Sequence, residues 1–170
     1  MDIFLEYIVI RKKSAFDIFK AGSILLLTLF VLYFSLILYA VPMLSTFALL
    51  IDAGIIYLGW LGITSINIEY EYSVTNGAVD IDKIINKRKR KRVIAFKVSE
   101  TEIIAPANAP EHAGIFNSEF AKVIDASTRK NPETLYFAVV LTDAGRTKVL
   151  FNPPEKMIEA FRVYGPRKVF

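Results

Sequence analysis

AGSILLLTLFVLYFSLILYAVPMLSTFALLIDAGIIYLGWLGIT, residues 21–64, decides the fold. A helix crossing a bilayer needs about 20 apolar residues, rising 1.5 Å each, to pass about 30 Å of hydrocarbon. This stretch of 44 residues is too long for one crossing and suits two. Pro42, near its centre, would end one helix and open the next. The expectation is a transmembrane hairpin with spans at roughly 21–40 and 44–64. A cleaved signal peptide fits poorly. Its n-region would run to 20 residues and contain Asp2, Glu6 and Asp17, and no small-x-small site precedes the second apolar run.

The flanks orient the hairpin. Arg11, Lys12, Lys13 and Lys20 precede it, a basic block at 87–92 follows it, and the turn between the spans is uncharged. The positive-inside rule then places both termini in the cytoplasm of a multi-pass cell-membrane protein. Residues 1–20 put Asp2, Glu6, Lys13, Asp17 and Lys20 on one helical side, with Phe4, Tyr7, Ile8, Phe16, Ile18 and Phe19 filling much of the rest. That pattern predicts an amphipathic juxtamembrane helix in the headgroup layer, or else a helical extension of the first span.

Within the spans, Ser45, Ala48, Asp52, Ile55, Gly59 and Gly62 recur at spacings of three and four, while Ala21, Thr28 and Ser35 are seven apart. Helices in lipid associate through small residues and interhelical hydrogen bonds, so these faces are expected to meet. Asp52 lies roughly 13 Å from the turn, where a charge costs about 2.5–3.5 kcal/mol on insertion scales. Two readings stand for this face. It is a proton, ion or partner-helix site, or it is a packing face in which a neutral Asp52 hydrogen-bonds Ser35 or a symmetry mate in a homo-oligomer.

Residues 65–170 should form a mainly-β domain on the cytoplasmic side. INIEYEYSVT, residues 66–75, alternates apolar and polar without a fault, Asn76-Gly77 is a hairpin signal, and AVDIDKII returns. Such a return brings NKRKRKR back to the membrane-proximal end. RVIAFKV, EIIA, EFAKVIDAST, TLYFAVVLT and RTKVLF read as further strands, for six or seven antiparallel strands in all. NPPEKMIEAFRVYGP reads as a closing helix capped by Asn152, with Pro153 in its first turn, Glu155 as capping-box partner and Gly165-Pro166 as its stop.

Lys87, Arg88, Lys89, Arg90, Lys91 and Arg92 carry the chain's basic character. Residues 65–170 hold 17 basic and 13 acidic groups, and without the block they would be net acidic. Each Lys or Arg near an anionic leaflet contributes about 1 kcal/mol, with roughly 3 kcal/mol as a ceiling if half the block points one way. Lipid headgroups are the favoured contact, ahead of a solvated run that merely sets topology. Nucleic acid is not expected as a partner, because no stacking platform accompanies the charge.

Reaction chemistry is missing. No cysteine is present, and the lone histidine, His112, is expected in an exposed loop. The carboxylate pairs Asp80/Asp82 and Glu69/Glu71 should face water. No nucleophile–base pair, phosphate loop or metal cluster joins them, so neither an enzyme nor a cofactor or metal is expected.

The order of hairpins followed by one amphipathic helix resembles the pleckstrin-homology-like superfold, a partly open antiparallel barrel plugged by a C-terminal helix. MDIFLEYIV and EYEYSVTNGAVDIDKIINKRKRKR resemble, over essentially the whole chain, a family of small bacterial two-helix membrane proteins of unknown function. The resemblance implies a fold and no activity. The expectation is a membrane-anchored, non-catalytic binding or scaffold module that docks a protein partner or the anionic leaflet. The alternative is an accessory subunit of a larger membrane complex, recruited through the Asp52 face.

Overall fold

The computed structural model describes residues 3–170, and they divide into two compact units. The first is a helical hairpin of α1 (Ala15–Ala40) and α2 (Pro42–Thr64). Both helices are long and apolar enough to cross a bilayer. Their surfaces are not those of a soluble core, since Leu26, Leu49 and Leu50 are each about 70% exposed. A capping box starts α1: Ser14 Oγ accepts from the Asp17 N–H, and Asp17 Oδ2 accepts from the Ser14 N–H at 2.9 Å. Val41 alone separates the helices, and Pro42 occupies the first turn of α2, where its missing N–H costs nothing.

The second unit is built on β1 (Phe4–Ile10), β2 (Ile68–Thr75), β3 (Ala78–Ile85), β4 (Lys89–Lys97), β5 (Ile103–Pro106), β6 (Lys122–Asp125), β7 (Tyr136–Thr142) and β8 (Gly145–Phe151). A short α3 (Ala113–Phe116) and a final α4 (Glu155–Tyr164) complete it. The strands form two four-stranded sheets, ordered β1-β2-β3-β4 and β5-β7-β8-β6, rather than one closed barrel. All but one of the pairings are antiparallel, the exception being β6, which runs parallel to β8. The apolar faces of both sheets and the Met157, Ile158 and Phe161 stripe of α4 share one core. Buried tyrosines tie the layers: Tyr70 donates to the Asp125 carbonyl at 3.0 Å and Tyr72 to that of Ala126 at 2.6 Å. Burial pushes the Tyr72 phenol well up, so it remains a donor.

Several expectations need correction. The segment 1–20 is not one amphipathic helix: Phe4–Ile10 is a strand paired antiparallel with β2, and only Ala15 onward is helical. Asp2, placed on that helix, lies outside the described residues. The domain that opens at residue 65 therefore borrows its first strand from before the hairpin. Asn152 does not cap α4, whose N-cap is Pro154 with no side-chain bond. Its amide instead accepts from the Thr128 N–H at 2.8 Å and donates to the Asn131 carbonyl and to Thr134, clamping the 128–134 loop. His112 is half-buried, its ring 4.5 Å from that of Phe170 and its Nε2 without a hydrogen bond.

Candidate functional site

Asn76-Gly77, joining β2 to β3, adopts positive φ at both positions, 50° and 82°, as a tight hairpin requires. The next turn repeats this geometry. Asn86 and Lys87 have φ of 48° and 55°, and the Arg88 N–H returns to the Ile85 carbonyl at 3.1 Å. Asparagine tolerates that region and glycine is at home in it. A lysine there gives up roughly 1–2 kcal/mol. The second turn thus carries a cation where the first carries a glycine.

Register fixes where this turn lies on the sheet. Ile85 pairs with Ile68, the first residue of β2, and Glu69 pairs with Ile10, the last of β1. The β3–β4 turn therefore sits at the end of the sheet where β1 runs out to α1 and β2 returns from α2. On the face turned away from the core, Ile8, Ile10 and Ile84 floor an open groove of about 630 Å³ rimmed by Glu69, Lys87, Arg88, Lys89 and Arg90. Ile8 and Ile10 are half or more exposed.

The six basic residues are all exposed but do not act as a unit. Arg90 forms an ion pair with Glu71, whose side chain is almost fully buried beneath it. Arg92 bridges Asp80 at 3.3 Å and lies 3.9 Å from Asp82. Glu71 and Asp80 are thus engaged across the strands instead of facing water unpaired, while Asp82 Oδ1 is buried without a hydrogen bond. Burial pushes the Glu71 carboxyl up, Arg90 opposes that, and the charge and hydrogen bond of Glu6 add to it. Lys87, Lys89 and Lys91 have no ion pair among the described residues. Sequence reading missed the apolar floor and the cross-strand carboxylates, because both depend on β1 and on register. The two-residue alternation of FLEYIVI was the available signal.

In the hairpin, the two stripes meet. Ala48, Gly59 and Ser35 are buried between the helices, and Ser45, Asp52, Ile55 and Gly62 are partly covered. A Cβ on Gly59 would strike Thr28 Oγ1 and come within 2.8 Å of its methyl carbon; one on Gly62 would lie 3.1 Å from Ile24. Ser45 Oγ turns back to the Pro42 carbonyl. Asp52 Oδ1 is 2.6 Å from Ser35 Oγ, and Oδ2 accepts from Tyr39 at 2.8 Å, a partner the sequence spacing did not single out. No group of three or more candidate metal ligands occurs among the described residues.

A family model described as a bacterial PH-like domain (DUF6106) matches residues 1–170. No curated protein and no solved structure matches the chain.

Proposed function

The chain belongs over its whole length to this family of bacterial PH-like domains, and from that premise we propose that it is a membrane-anchored, non-catalytic binding module whose cationic turn docks on the anionic cytoplasmic leaflet. The β domain serves as a scaffold that holds the turn and its groove, with both termini cytoplasmic and α1 and α2 as its anchor. One observation carries the reading. Lys87 occupies a left-handed turn position that favours glycine, at the sheet end where the chain passes to the helices. Arg129 shares this backbone geometry but is held by Asp125, whereas Lys87 has no ion pair among the described residues, which supports a role outside the fold for its strain.

Chain length supports it too. Four residues join Ile10 to Ala15 and three join Thr64 to Ile68, a reach of at most about 14 Å. A surface potential fades over a Debye length of about 8–10 Å. With Arg90 and Arg92 engaged by carboxylates, Lys87, Lys89 and Lys91 would supply about 3 kcal/mol at about 1 kcal/mol each. For a domain already tethered at two points, that is enough to fix an orientation. The reading that recruits a partner through Asp52 finds less support, since both carboxyl oxygens are engaged inside the hairpin.

The test uses the full chain in nanodiscs of phosphatidylcholine alone or mixed with phosphatidylglycerol, with tryptic cleavage within 87–92 followed by mass spectrometry. Cleavage should slow several-fold in the anionic discs, and the slowing should vanish in high salt and in a K87Q/K89Q/K91Q variant. Equal rates in the two lipids would reject leaflet docking and leave a protein partner as the occupant of the groove.

A further inference from the structure

Ser35 Oγ lies 2.7 Å from the Leu32 carbonyl oxygen and 2.6 Å from Asp52 Oδ1, while the Tyr39 hydroxyl reaches Oδ2 at 2.8 Å. A serine hydroxyl has one proton to give. With Asp52 ionised, Leu32 and Oδ1 are both acceptors, and one of two short oxygen–oxygen contacts on a 93%-buried serine is left without a hydrogen. A protonated carboxyl resolves this: Tyr39 donates to Oδ2, Asp52 donates to Ser35, and Ser35 donates to Leu32. Every contact then holds one proton.

The surroundings agree. The groups that face Asp52 from α1 are the Ser35 and Tyr39 hydroxyls, and Tyr57 is the only other ionisable side chain on α2. No lysine, arginine or histidine occurs between Lys20 and Lys83 to balance a carboxylate. An unpaired charge is expensive inside a bilayer, whereas a satisfied neutral acid is not.

We infer that Asp52, Ser35 and Tyr39 form an intramembrane proton-binding site, whose ligand is a single proton held on the Asp52 carboxyl at neutral pH. The bound proton completes the hydrogen-bond chain that joins α1 to α2.

Infrared difference spectra of the full chain in nanodiscs, with aspartate labelled by carbon-13 at its side-chain carboxyl, read the proton directly. Wild type minus Asp52→Asn at pH 7 should show the carbonyl stretch of a protonated acid, indifferent to replacing choline by sodium. The asparagine amide can donate to Ser35 and accept from Tyr39, so this variant keeps the hairpin. Ser35→Ala removes the proton's acceptor while leaving the acid intact, and it should shift the same band. An ionised-carboxylate signature for Asp52, a band that moves with sodium, or a band untouched by Ser35→Ala would each overturn the assignment. None of these outcomes bears on tryptic protection of residues 87–92, so the two readings fail separately.

Discussion

Lys87 sets stability against use at a single residue. Its φ of 55° lies in the left-handed region that Gly77, at 82°, occupies without a side chain in the sister turn. Lys87→Gly should therefore stabilise the β domain by about 1 kcal/mol in a denaturant or thermal melt, while weakening protection of the block in anionic nanodiscs. A variant no more stable than wild type would mean that the lysine is not strained there, and the functional argument from strain would go with it. The charge of the block was legible in the sequence, but its division was not. Nothing in NKRKRKR shows that Arg90 covers a buried Glu71 or that Arg92 bridges Asp80 near Asp82, since those partners sit 10 to 19 positions away and meet the block only through register. Asn152 gives the same lesson. An asparagine followed by two prolines and a glutamate looks like a helix cap, yet its amide has four polar groups of the 128–134 loop within reach and is used there.

Among the elements, the two long helices were the most legible because a run of 44 apolar-rich residues has few physical outcomes. Their inward faces were also readable, as spacings of three and four place one stripe on one side of a helix. Close approach is the consequence. Gly59 sits where any Cβ meets Thr28, so Gly59→Ala should push the helices apart, and adding Thr28→Ala should bring them back. The absence of cysteine makes this accessible by distance measurement between spin labels on cysteines introduced at the exposed positions Leu26 and Leu58. A single variant with an unchanged distance would show that the glycine is not needed for packing. β1 was misread for the opposite reason. Seven residues admit both a period of 2 and a loose period of 3.6, and the charges of 1–20 happened to fall on the helical template. What decides in favour of a strand is β2, which offers an edge along its whole length.

For the whole molecule, β1 changes what the hairpin is. α1 and α2 are an insertion between two adjacent, hydrogen-bonded strands rather than a leader ahead of a domain. Both ends of the insertion leave one end of one sheet, so two covalent links join the β domain to the hairpin. It also predicts how the chain can be cut. Residues 68–170 alone lack β1, so Tyr70, Tyr72 and Val74 lose the strand that shields them, and the unpaired β2 edge becomes an aggregation site. Replacing residues 13–67 by a short Asn-Gly turn should instead yield a soluble β domain, because Arg11 and Ile68 are already joined by a 3.1 Å backbone hydrogen bond. Size-exclusion chromatography and circular dichroism separate the outcomes: a monomeric, cooperatively melting protein for the turn replacement, and aggregated or unfolded material for residues 68–170. If the shorter piece were equally soluble and equally stable, β1 would be an accessory edge, and the proposal that two tethers orient the cationic turn would lose its structural basis.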